Sequence, residues 1–138
     1  MVYIGIDFGD KRVGVARSDG VLATAVCTVK VTGLADAVRK CAEKIKELGG
    51  ESVVIGLPRT MDSTEGFRAE RTRRFGAALA LSTGISPEYF DERLTTVRAH
   101  AFMNDADLAP RRKKGMVDSL SAEIILQDYL DSLKNRQI

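Results

Sequence analysis

The 138 residues suit one compact domain and are too few for two full domains facing each other across a cleft. At 44% hydrophobic the chain can fill one core, and no apolar run approaches the ~20 residues of a membrane span. The 21 basic and 19 acidic residues leave a net charge of +2, which selects no partner by itself, so the positions of the charges carry the information.

The chain opens on two short apolar runs, over 2–8 and 12–18, around a Gly-Asp-Lys turn, which reads as a β-hairpin. Alternation puts Val2, Ile4, Ile6 and Phe8 on one face and Tyr3, Gly5 and Asp7 on the other. In the second run Gly14 and Ala16 share one side, Val13 and Val15 the other. A carboxylate in a half-buried strand is costly unless it is paired or binds a metal, and Gly5 beside it leaves room for a ligand to approach the backbone.

A third strand is expected over 21–30. Then the period changes: Leu34, Val38, Cys41, Ile45 and Leu48 are spaced 4, 3, 4 and 3 apart, an amphipathic helix with Thr32 as its N-cap and Gly49-Gly50 as its stop. Val53 to Leu57, ended by Pro58, suits a strand covered on both faces. Residues 59–64 form a polar loop, and Asp62 with Glu65 has capping-box spacing for a helix over 65–82. A fifth strand covers 86–93 and a short helix 96–103. A basic loop spans 104–115. The last helix covers 116–133, with Leu120, Ile124, Ile125, Tyr129 and Leu133 on its apolar side.

The order βββαβαβαα gives three antiparallel strands followed by two that run parallel to the first. The expected fold class is α/β: a ribonuclease-H-like mixed five-stranded sheet with helices on both faces, formed by residues 1–138 as a single domain.

Three acidic groups stand apart from the ordinary surface charges: Asp7 in the first strand, Asp91-Glu92 at the end of the fifth, and Asp118 at the start of the last helix. Ligand sites in open sheets gather at the carboxyl ends of the parallel strands. Carboxylates converging there make an all-oxygen site suited to Mg²⁺ or Mn²⁺. Two such ions can activate a water and stabilise the leaving oxygen of a phosphodiester. Adjacent strand side chains face opposite ways, so only one of Asp91 and Glu92 can join Asp7; Glu92 is favoured, leaving Asp91 a supporting role. Each acid also has a plainer reading: Asp7 as a hairpin-stabilising group, Asp91 and Glu92 as solvated strand-end charges, Asp118 as a complement to the helix dipole. Only their coincidence at one edge argues for chemistry.

The basic residues Arg12, Arg68, Arg71, Arg74 and Arg93, with the unbroken run Arg111, Arg112, Lys113 and Lys114, are candidates for holding a phosphate backbone, which positions a nucleic acid without reading its sequence. There is no Trp and no aromatic stripe for stacking single strands. His100 is expected to be a surface or packing residue, and Cys27 and Cys41 reduced core residues, so zinc hydrolysis and Cys-His catalysis are poorly supported. The N-terminus enters a strand with no secretory pattern, which points to the cytoplasm.

At these residues the chain resembles a known family, the Holliday-junction-resolvase-like proteins, or pre-16S rRNA nucleases, of the ribonuclease-H-like superfamily. The resemblance lies in IGIDFGDKRVGVARSD (4–19), VVIGLPRTMD (53–62), FDERLTTVRA (90–99) and VDSLSAEIILQDYL (117–130), in the family's order. It implies catalytic and metal-holding roles for Asp7, Glu92 and Asp118, and a metal-dependent nuclease acting on structured nucleic acid in maturation of ribosomal RNA precursor. The implied partner is nucleic acid, ribosomal RNA precursor or branched DNA, met by a monomer or weak homodimer away from membranes. Two departures are Ser63, where the family commonly has Gly, and Ser121-Ala122, where it commonly has paired Ala. Other classes remain: a four-way DNA junction resolvase, which needs two active sites; a non-catalytic nucleic-acid or transcription adaptor; and a nucleotide-binding kinase or ATPase, since DFGDKRVG (7–14) also resembles the phosphate loop of the actin and sugar-kinase superfamily.

Overall fold

The computed structural model describes residues 1–58, 66–91 and 110–136, the last stretch through its backbone alone at 110–117 and 135–136. Five strands, β1 (Tyr3–Phe8), β2 (Arg12–Ser18), β3 (Ala23–Lys30), β4 (Ser52–Leu57) and β5 (Glu88–Asp91), form one sheet in the order β3-β2-β1-β4-β5. β1, β2 and β3 are antiparallel; β4 pairs parallel to β1, and β5 to β4. The ribonuclease-H-like sheet read from the sequence is therefore the one observed. The expected short helix at 96–103, the loop at 59–64, the Asp62–Glu65 capping box and His100 lie outside the described residues.

Helices α1 (Leu34–Leu48) and α2 (Phe67–Thr83) cover one face of the sheet, and α3 (Pro110–Arg136) covers the other. The period-two alternation of β1 and β2 separates two apolar layers. Ile4, Ile6, Val13 and Val15 join Ala37, Cys41, Ile45, Phe75 and Leu79 on the first face. Ala16 and Val54 join Ala122, Ile125, Leu126 and Leu130 on the second. Phe75 is fully buried and stacks on Phe8, with ring centroids 4.4 Å apart and planes 17° apart, which fixes α2 over the end of β1.

Several expectations are corrected in detail. Gly33, not Thr32, is the N-cap of α1, and no side chain caps it. Instead Asp36, in the first helical turn, accepts from the Thr32 backbone N–H at 2.9 Å and from its hydroxyl at 3.2 Å. That half-closed box ties down the residue before the helix. Leu34 is 44% exposed, and Ala37 takes the inward place. Gly49 and Gly84, both in the left-handed conformation, end α1 and α2 as glycine does most cheaply.

The largest correction concerns α3. It begins at Pro110, so residues 110–115 are helical where a loop was expected. Pro is favoured in a first helical turn, and the Arg and Lys that follow are good helix formers. Its inward face is also rotated by about one position: Ser121, Ala122, Ile125, Leu126 and Leu130 are buried, whereas Leu120, Ile124 and Leu133 are half-buried. The reason is close approach. A Cβ on Gly5 would stand 2.7 Å from Cβ of Leu126 and 2.9 Å from the carbonyl oxygen of Ala122, and one on Gly14 would collide with the backbone of Asp118. The small residues of the strands meet small residues of the helix, and what Gly5 admits is a helix backbone, not a ligand.

Candidate active site

β1, β4 and β5 end at one edge of the sheet, as their register requires: Ile6 pairs with Ile55, Gly56 with Phe90, and Leu57 with Asp91. Asp7 is half-buried at that edge, on the face that α3 covers, and its cross-strand partner is Gly14 of β2. Asp118 comes from α3, and its backbone lies directly on Gly14. The missing side chain at position 14 therefore lets the two acids share one face over one strand pair, although 111 positions separate them in sequence (118 − 7).

The Asp118 carboxylate is held from the other side. Arg12, the first residue of β2, donates its Nε–H to Oδ2 of Asp118 at 2.9 Å. Burial pushes the Asp118 carboxyl up from the ordinary carboxylate range, and the Arg12 guanidinium, itself about one-third exposed, offsets that only in part.

Asp91 stands on the opposite side of the sheet. Tyr89 packs into the α1/α2 layer and Phe90 into the α3 layer, so the next step of the alternation turns Asp91 to the face away from Asp7. Glu92 and Arg93 lie outside the described residues. Among the described residues there is no group of three acidic, His or Cys side chains that could hold a metal. Asp7 and Asp118 supply two hard oxygen donors, a set that fits Mg²⁺ or Mn²⁺ better than softer ions. The thiols offer nothing to this site: Cys27 and Cys41 are free and lie in the other layer, and burial pushes Cys41 up to about 12.

The basic candidates divide. Arg12 is on Asp118. Arg71 forms a two-pronged pair with Asp10 of the β1–β2 turn, at 2.8 and 2.9 Å, and lies 5.6 Å from the ring centre of Phe67. Arg74 pairs with Glu70 one turn back at 3.1 Å. Arg68 is exposed on the same helix. Arg111, Arg112, Lys113 and Lys114 fall within the first turns of α3, the helix that carries Asp118. The sequence reading missed Arg12 as a partner of Asp118 and Asp10 as a partner of Arg71, because both pairings join distant segments. Arg73 belongs to the same basic group but not to the face shared by Arg68, Arg71 and Arg74, and the contact of its guanidinium with Tyr89, 4.9 Å from the ring centre, was not foreseen. No local pattern announces any of the three.

Comparison with known proteins identifies the family. The family described as "RuvX: Holliday junction resolvase" matches residues 1–132. The chain belongs to that family. Among RuvX relatives, a protein of Agathobacter rectalis called "Putative pre-16S rRNA nuclease" is 41% identical over 140 residues, covering 98% of each chain. One of the same name from Heliobacterium modesticaldum is 42% identical over 134 residues, covering 96% of this chain and 90% of the relative. Of solved structures, Thermus thermophilus RuvC aligns with a TM-score of 0.60 at 14% identity, covering 98% of this chain and 97% of that one. RuvC in complex with a Holliday junction substrate aligns at 0.53, also at 14% identity, over 93% and 96%. At that identity the RuvC structures share the fold with this RuvX chain and nothing finer. No described helix is long and apolar enough to cross a membrane.

Proposed function

We propose that this chain is a divalent-metal-dependent nuclease that hydrolyses phosphodiester bonds of structured nucleic acid, in the maturation of pre-16S ribosomal RNA in the cytoplasm. One observation supports the reading: the backbone of Asp118 rests on Gly14, the cross-strand partner of Asp7, so two acids from opposite ends of the chain stand on one face at the edge where the parallel strands end. The names of the 41% and 42% identical relatives supply the substrate.

Asp7 and Asp118 would hold Mg²⁺ or Mn²⁺, with Glu92, which the strand alternation favours over Asp91, proposed as the third ligand. When bound, such a cation lowers the pKa of a water and neutralises charge building on the phosphodiester oxygens. The chain's own contribution is geometric. Asp7 is fixed by its pairing with Gly14 of β2, Asp118 by helix packing on Gly14, and Arg12 holds one oxygen of Asp118 so that the carboxylate keeps one orientation. Arg68 and Arg74 on α2, Arg93, and Arg111 to Lys114 at the start of α3 would carry the flanking phosphates.

The decisive experiment offers the purified chain, with Mn²⁺, a pre-16S ribosomal RNA fragment and a four-way DNA junction, beside Asp7→Asn. RNA cleavage that disappears in the variant, with folding intact, is the expected result; full activity in Asp7→Asn would overturn the assignment. The family's description favours a second reading, four-way junction resolution. That reading needs a symmetric dimer with two sites, and a chain that is monomeric in solution and inactive on junctions excludes it.

A further inference from the structure

Around the β1–β2 turn, the end of β3, the start of α1 and Arg71 of α2 form an open trough of about 630 Å³. Lys11, Arg12, Lys30 and Arg71 line it against Asp10, and with Arg12 held by Asp118 the excess is two positive charges (4 − 2). Its frame is fixed: the Val31 N–H donates to the Lys11 carbonyl at 3.0 Å, joining the turn to the segment after β3. Lys40 donates to the Lys30 carbonyl at 2.7 Å and closes that corner. The wall at Gly33 is bare, with no atom within 4 Å of where a Cβ would stand. Arg12 belongs to both places, since it lines the trough and holds Asp118.

The Asp10–Arg71 pair is the informative feature. Arg71 offers both terminal nitrogens, one to each oxygen of Asp10, the fork geometry with which a guanidinium grips a phosphate. The side chains are 44% and 58% exposed, so the pair is weakly held and readily exchanged. We infer that the trough is a subsite for a backbone phosphate of the bound nucleic acid, held by Lys11, Lys30 and Arg71, and that Asp10 occupies Arg71 until that phosphate displaces it. The inference rests on the nucleic-acid part of the proposed function. It adds Lys11 and Lys30 as positioning residues, and it gives Asp10 an opposing role.

Binding of the 138-residue chain to a fluorescent RNA duplex, followed by anisotropy without divalent ions over a series of KCl concentrations, tests this. Lys30→Ala and Lys11→Ala should each weaken binding and reduce the slope of log K against log salt by about 0.7–0.9, the value for one phosphate contact. Asp10→Asn should act in the opposite direction, tightening binding about two- to five-fold by releasing Arg71. Unchanged slopes in both lysine variants, or Asp10→Asn binding no tighter than the parent, would overturn the subsite. Cleavage is scored separately with Asp7→Asn. Altered slopes without any cleavage leave the trough standing and remove the nuclease reading, whereas Asp7-dependent cleavage with unaltered slopes does the reverse.

Discussion

Arg12 and Asp118 meet at 2.9 Å across 106 positions of sequence, and their contact joins the β1–β2 hairpin to the helix on the far side of the chain. Both side chains are partly exposed, at 36% and 23%, so the pair adds at most about 1 kcal/mol of stability. Its value is orientation. Arg12→Ala should leave the urea midpoint nearly unchanged, lower kcat, and raise the Mn²⁺ concentration needed for half-maximal cleavage. If KM for nucleic acid alone rises, Arg12 is a phosphate contact and its bond to Asp118 is incidental.

A cation that binds the folded chain and not the unfolded one stabilises it by about 2.7 kcal/mol at a hundred times its Kd. Mn²⁺ should therefore raise Tm of the parent chain in a concentration-dependent manner. Asp7→Asn and Asp118→Asn should abolish most of that rise. An equal rise in all three chains would place the cation elsewhere.

Gly14 bears the weight of α3, and no side chain fits between β2 and the Asp118 backbone. Gly14→Ala overpacks against main chain, which cannot swing aside as a flexible side chain can, and should cost about 2–3 kcal/mol. Its effect on cleavage should exceed its effect on stability, because α3 must lift and carry Asp118 with it. Denaturant unfolding and single-turnover cleavage on the same preparation separate the two.

Phe75 is fully buried against Phe8, the residue that follows Asp7. Phe75→Ala removes the stack and leaves a cavity, for an expected loss of about 3–5 kcal/mol. Phe75→Leu should lose clearly less. Equal losses in the two variants would show that the ring stack, not the filled volume, holds this corner.

Asp36 gives a pH signature at a position remote from the acids. The Lys40 ammonium, the Thr32 N–H and Arg39 draw its carboxyl down from 3.8 to about 2. A folded pKa below the unfolded one adds stability above pH ~4, and that contribution is lost as pH falls through about 2. The gap in urea midpoint between the parent and Asp36→Asn should accordingly be full at neutral pH and close between pH ~4 and ~2. A gap independent of pH would mean that Asp36 acts through hydrogen-bond geometry and not through its charge.

Periodicity together with the lengths of the connections made the sheet legible. The alternation in residues 2–8 and 12–18 separated the faces correctly, because burial on one side of a twisted sheet forbids a one-residue slip. The spacing of Cys41 and Ile45 located α1, and left-handed glycines closed α1 and α2 where the sequence placed them. The inward face of α3 was not legible. Ser121 and Ala122 look like poor core residues until they are seen against Gly5 and Ala16, and only the strands they pack on make small size an advantage.

The sequence by itself determined which residues carry charge, which strands alternate, and that Asp7 stands on the small-residue face, since these follow from local backbone geometry that any segment obeys. Only the tertiary structure decided that Asp118 lands over Gly14, that Arg12 holds it, and that Arg71 closes on Asp10. Contacts between segments tens of residues apart depend on how closely a helix backbone can approach a sheet, and that distance is set jointly by both partners, so neither segment encodes it alone.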